Sequence, residues 1–101
     1  MNQFEVFNNM NNDTNIQIPY FLTVQHNILN NLASCVVIPL VTDIKPISNL
    51  NPIFEIENQK VIMSTTEIVG VPKSILTKKV CSLENKRAEI LNAIDFMITG
   101  F

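Results

Sequence analysis

Apolar residues arrive along this chain in short bursts separated by polar stretches rich in asparagine. β-Branched and aromatic side chains concentrate in residues 4–7, 20–25, 35–40, 53–57, 61–66 and 68–71, which predicts six short strands. The segments 8–15, 27–31 and 49–58 between them carry most of the asparagine, while glycine occurs only as Gly70 and Gly100. The short asparagine amide bonds its own backbone and tolerates positive φ, so asparagine is expected to build turns here. The run Phe54-Glu55-Ile56-Glu57, then Asn58-Gln59, then Lys60-Val61-Ile62-Met63 alternates apolar and polar positions around a polar turn. That is the pattern of an antiparallel hairpin with its turn at Asn58-Gln59. Pro39 lacks a backbone donor, which predicts an edge strand or a bulge at that point. Pro72 should end the sixth strand, and residues 46–52 read as a surface loop with a helical turn at its start.

From Ser82 onward the period changes. Leu83, Ile90, Leu91, Ile94, Met97, Ile98 and Phe101 fall three and four apart, which predicts one amphipathic helix with Ser82 as N-cap. Glu84 suits the positive end of its dipole, and Gly100 is placed to stop it. Short strands followed by one helix give an α+β class, mostly β: a small antiparallel sheet or partly closed barrel with a helix packed on it.

A length of 101 residues predicts a single domain over the whole chain. With 47% hydrophobic and 16% charged residues the chain can bury a core. The net charge of −2 argues against direct binding of nucleic acid. No apolar run is long enough to cross a bilayer, and residues 1–12 lack the features of a signal peptide, so a soluble, cytoplasmic protein is expected.

Catalytic chemistry finds little support. Cys35 and Cys81 lack the spacing of zinc or redox motifs and are expected to be free thiols, Cys35 as a small buried hydrophobe. His26 has no neighbouring partner and reads as a surface or turn histidine. Glu55, Glu57 and Glu67 read as solvated strand positions, and the lysines Lys73, Lys78 and Lys79 as a solubilising patch. No phosphate loop, zinc ligand set or dinucleotide fingerprint is present, and no cofactor is expected. Composition and spacing end at a soluble α+β domain.

Five segments in order carry more information: Phe4-Glu5-Val6-Phe7, FLTVQ at 21–25, VVIPL at 36–40, MSTTEIVGVP at 63–72 and NAIDFMITGF at 92–101. Together they resemble the CcdB toxin family, gyrase-poisoning partners in bacterial toxin–antitoxin pairs. The resemblance implies an SH3-like antiparallel barrel with a small extra sheet and a C-terminal helix. It also implies a symmetric homodimer without enzymatic activity, whose helix ends enter the dimerisation region of the gyrase A subunit. A second implied partner is a cognate antitoxin with a disordered C-terminal segment that folds onto the toxin. The loop between Leu40 and Pro52 is shorter than is usual for the family and is one surface for such a segment.

Carried over by position, the gyrase-contacting residues are Ile28, Leu29, Asp95, Ile98, Thr99, Gly100 and Phe101. Core packing is the competing reading for Ile28, Leu29 and Ile98, and a helix stop for Gly100. Well-known family members end in Trp-Gly-Ile, whereas this chain has Thr99-Gly100-Phe101. Thr99 cannot stack on a guanidinium as tryptophan does, which leaves weaker binding, a contact by Phe101 instead, or a different gyrase as target. Asp95 stands where the family commonly has a neutral amide. Two alternatives stay open at this point: an endoribonuclease of the same fold, and a relative that has lost toxicity.

Overall fold

The computed structural model describes residues 1–100. Its strands are β1 (Glu5–Asn8), β2 (Tyr20–Thr23), β3 (Ser34–Val41), β4 (Ile53–Ile56), β5 (Gln59–Met63), β6 (Val69–Pro72) and β7 (Lys79–Ser82), followed by helix α1 (Arg87–Thr99). All pair antiparallel, in the order β4-β5-β3-β2-β1-β7. β3 is the pivot. One edge pairs with β2, while the other pairs with β6 over Ser34 to Val37 and with β5 at Leu40 and Val41. Splitting its partners in this way curls the sheet into a half-barrel with α1 packed on it, an α+β fold that is mostly β.

Strand alternation sorts the apolar side chains between two faces. Val6 joins the main core with Leu22, Ile38, Leu40 and Ile90, while its neighbour Phe7 joins a smaller cluster with Cys35, Val37 and Leu76. Within β4, Phe54 and Ile56 are buried and Ile53 and Glu55 are exposed.

Several sequence expectations are corrected. Pro39 lies in mid-strand, opposite Phe21 of β2, and is buried. The Val24 amide bonds to the Val36 carbonyl, so strand alternation turns the backbone groups of Pro39 away from β2, and its carbonyl accepts from the Ser64 amide. Its missing donor therefore faces the gap between β6 and β5, where no strand pairs with it. A proline is tolerated there without an edge or a bulge. The hairpin turn sits one residue earlier than expected, at Glu57 and Asn58, both at positive φ (52° and 62°), with Ile56 opposite Gln59. Two left-handed residues match the strand twist as a type I′ turn. The expected strand 61–66 stops at Met63, and Thr65–Glu67 forms a 3-10 turn instead.

The seventh strand, β7, has no counterpart among the expected elements. Ser82 ends it, opposite Glu5. Leu83 then donates to the Phe4 carbonyl at 2.7 Å, which holds the chain against the sheet for one more residue. The Ser82 hydroxyl does accept the Glu84 amide at 3.2 Å, but what it opens is a 3-10 turn, Glu84–Lys86, and α1 starts only at Arg87. Phe4 sits at φ 64° with its ring fully buried, so β1 starts at Glu5. Its amide donates to the Thr23 carbonyl at 2.6 Å; bonds on both sides of the residue hold a conformation that an aromatic residue rarely adopts.

The asparagines do build turns. Buried Asn9 donates to the Thr14 hydroxyl and the Ile18 carbonyl, both at 2.9 Å, and accepts from the Asn11 amide at 3.0 Å, closing the 9–18 loop. Asn49 sits at φ 69°. A helical turn opens the 46–52 loop, with Asn51 donating to Ile47 at 2.9 Å. Gly100, at φ 80°, ends α1 by donating to the Phe96 carbonyl at 2.8 Å.

One buried carboxylate links the N-terminal strand to β7. Burial by itself pushes the Glu5 carboxyl up, but the Lys79 ammonium at 2.5 Å and the Asn2 amide at 2.8 Å outweigh it and hold its pKa below the ordinary value. A depressed carboxylate stabilises the fold above its unfolded pKa, and that contribution is lost as pH falls through the folded value. Glu5→Gln is therefore expected to lower stability at pH 7 by about 1–2 kcal/mol. Denaturation from pH 7 down to pH 3 should find the wild-type advantage shrinking with acid. An advantage that stays constant across that range would contradict the assignment.

Candidate interaction site

Helix α1 buries Ile90 and Ala93 fully and keeps Ile94 and Met97 half-buried. At about 100° per residue, Ile98 lies roughly 80° around the axis from Ile90, at the margin of the packed stripe. It is 72% exposed. The regular apolar spacing predicts Ile98 on the packed face, but it lies at the margin of that stripe in the last turn of the helix and meets solvent. Met97 and Ile94 are half-buried, and Asp95, Thr99 and Gly100 are exposed. The Thr99 hydroxyl donates to the Asp95 carbonyl at 2.8 Å, so these residues and Ile98 share one closed terminal turn. Phe101 lies outside the described residues.

Ile28 and Leu29 occupy a 3-10 turn, Asn27–Leu29, in the connection between β2 and β3. His26 caps it: its Nδ1 accepts the Ile28 amide at 3.0 Å, which makes it the expected turn histidine. Ile28 is 79% and Leu29 44% exposed, so neither is core. Asn27 accepts from the Gln3 amide at 2.7 Å, and the Gln3 side chain accepts from Arg87 at 3.0 Å. This chain of contacts ties the turn to the start of α1. With a rise of 1.5 Å per residue, the far end of the helix lies about 18 Å along the axis from Arg87. The structure brings Asp95, Ile98, Thr99 and Gly100 together in one turn, and Ile28 and Leu29 in another. It does not join the two groups within this chain. Leu32, half exposed beside the second group, was not singled out by sequence reasoning; its only signal is an apolar residue in the polar run Asn30-Asn31-Leu32.

Burial pushes the Cys35 and Cys81 thiols up, so neither is an activated nucleophile, and both are free. Burial, with a 2.6 Å hydrogen bond to Glu57, pushes the Tyr20 phenol up to about 12. The lysines are dispersed: Lys79 pairs with Glu5 and the Lys73 ammonium bonds the Asn30 carbonyl. A cleft of about 460 Å³ separates the 49–52 loop from the Glu89, Asn92 and Phe96 side of α1. Among the described residues no helix is long and apolar enough to cross a membrane.

A comparison with protein-family models matches residues 3–100, nearly the whole chain, to the family described as CcdB protein. That span takes in the sheet, the Ile28–Leu29 turn and all of α1. Its members are toxins of toxin–antitoxin systems that poison gyrase and are not catalytic enzymes. Exposed apolar side chains at Ile28, Leu29 and Ile98 suit a binding role, and this chain belongs to the CcdB family.

Proposed function

We propose that this chain is a cytoplasmic toxin that binds the gyrase A subunit and holds gyrase in its DNA-cleaved state, performing no reaction itself. The observation that carries the reading is Ile98, 72% exposed at the end of a helix that is otherwise anchored in the core. An isoleucine held in water gains nothing for the fold, but it gains by entering a partner. As a homodimer the toxin presents two identical tips to a two-fold enzyme, so every contact forms twice. Preferential binding to the opened enzyme holds it there by population shift.

The contacts are Ile98, Thr99, Gly100 and Phe101 at the tip, with Asp95 beside them and Ile28 and Leu29 on the second turn. Asp95 requires a basic group opposite it, since a buried unpaired carboxylate weakens binding. A cognate antitoxin releases the enzyme by folding a disordered segment onto the toxin. The cleft between the 49–52 loop and α1 is a surface for it.

Purified protein is tested with gyrase and supercoiled DNA, and separately with RNA. Trapped double-strand breaks that require gyrase are expected, with the RNA left intact. RNA fragments in the absence of gyrase would overturn the proposal, as would growth arrest that a toxin-resistant gyrase A subunit fails to relieve.

A further inference from the structure

We infer that Lys73 is a positioning residue for the Ile28–Leu29 turn, holding these apolar side chains where a partner can meet them; the inference rests on the proposed gyrase contact at this turn. Two side chains pointed into water do not anchor their own loop, because no burial fixes them. The turn's own backbone bonds run from Leu29 to His26, Asn30 to Asn27 and Leu32 to Leu29, at 3.0–3.1 Å. They close the turn on itself without docking it. One docking contact is the Asn30 carbonyl, which accepts from the Lys73 ammonium across 43 positions of sequence. A bond from an ammonium is stronger than the neutral ones around it.

Lys73 opens the 3-10 turn Lys73–Ile75 directly after β6. Its own amide donates to the Ala33 carbonyl at 2.9 Å, so one residue grips the connection at both Asn30 and Ala33. On the opposite side the Asn30 side chain donates to the Met1 carbonyl at 2.8 Å and Asn27 accepts from Gln3 at 2.7 Å. The Gln25 side chain also donates to the Leu29 carbonyl at 3.3 Å, so the N-terminus, Gln25 and Lys73 hold the turn together, Lys73 through a cationic donor. The backbone grip at Ala33 does not depend on the side chain at position 73, so a substitution there releases the ammonium contact and leaves β6 in register with β3.

Lys73→Met keeps the apolar stem and removes the donor; Lys73→Arg restores a cationic donor. In the full chain, Lys73→Met is expected to speed hydrogen exchange at the amides of residues 29–32 about tenfold, with the melting temperature unchanged. Its affinity for the purified gyrase A subunit should fall about fivefold. Arg at this position should recover both, and Lys73→Met in an Ile28→Ala, Leu29→Ala background should cost no further affinity, because the lysine acts through the side chains the turn presents. Unchanged exchange in Lys73→Met, or faster exchange with full affinity, would overturn the inference, as would a loss of affinity that simply adds to that of the Ile28→Ala, Leu29→Ala pair. Full affinity of an Ile28→Ala, Leu29→Ala double variant would instead remove the gyrase contact at this turn, and the exchange result would still decide whether Lys73 holds it.

Discussion

Ile98→Lys is expected to remove gyrase trapping while leaving the protein folded. Ile98 is 72% exposed, so the substitution opens no cavity and leaves no buried group unpaired. Lysine also suits the position: it lies in the last turn of α1, where a cation meets the negative end of the dipole, and three residues after Asp95. Stability should therefore stay within about 0.5 kcal/mol of wild type. In the gyrase complex the same ammonium would be buried where an apolar side chain docks. An interface anchor of this kind contributes about 2 kcal/mol or more, so binding should weaken at least roughly thirtyfold at each tip. Gyrase-dependent cleavage of supercoiled DNA, beside a thermal melt of the same sample, reads both effects. A variant that melts normally and still traps cleaved DNA would move the contact away from the helix end. Removal of residues 99–101 tests the rest of the tip, with loss of toxicity and retention of the fold as the expected pair of results.

The opposite behaviour is expected one face away. Ile90→Ala should destabilise the fold by about 3 kcal/mol, because a fully buried isoleucine loses both its transfer free energy and the contacts across the cavity left behind. For a chain of this size that is a melting-temperature loss of roughly 12–24 °C. Ile90 and Ala93 are the only fully buried residues of α1, so few other contacts share the load. Gyrase trapping by the fraction that remains folded should be intact, since Ile90 is far from solvent. A loss below about 1 kcal/mol would mean that the helix is held by its amino-terminal turn instead; truncating Leu83, which is also buried, would then give the larger loss.

The hairpin, the asparagine turns, the helix and its glycine stop were legible because each depends on residues a few positions apart: an alternation of two, a spacing of three and four, a backbone angle that asparagine or glycine accepts. β7 was not legible, since Lys79-Val80-Cys81-Ser82 is short, polar at both ends and adjoins a helical pattern. Only β1, some 75 residues earlier, makes it a strand. The delayed helix start has the same origin in the bond from Leu83 to Phe4.

The resemblance to a family named the residues of the candidate site, but whether they are packed or exposed was left open between two readings. The local pattern of this chain determined where it turns, where it extends and where it coils, because those preferences are set by near neighbours. Tertiary structure decided that Pro39 sits in a central strand, that Ile98 and Ile28 meet solvent, and that Lys73 reaches the connection that carries Ile28. Each of these depends on which distant segments share an edge and which face of the helix they cover, and neither is a property of any short stretch of sequence.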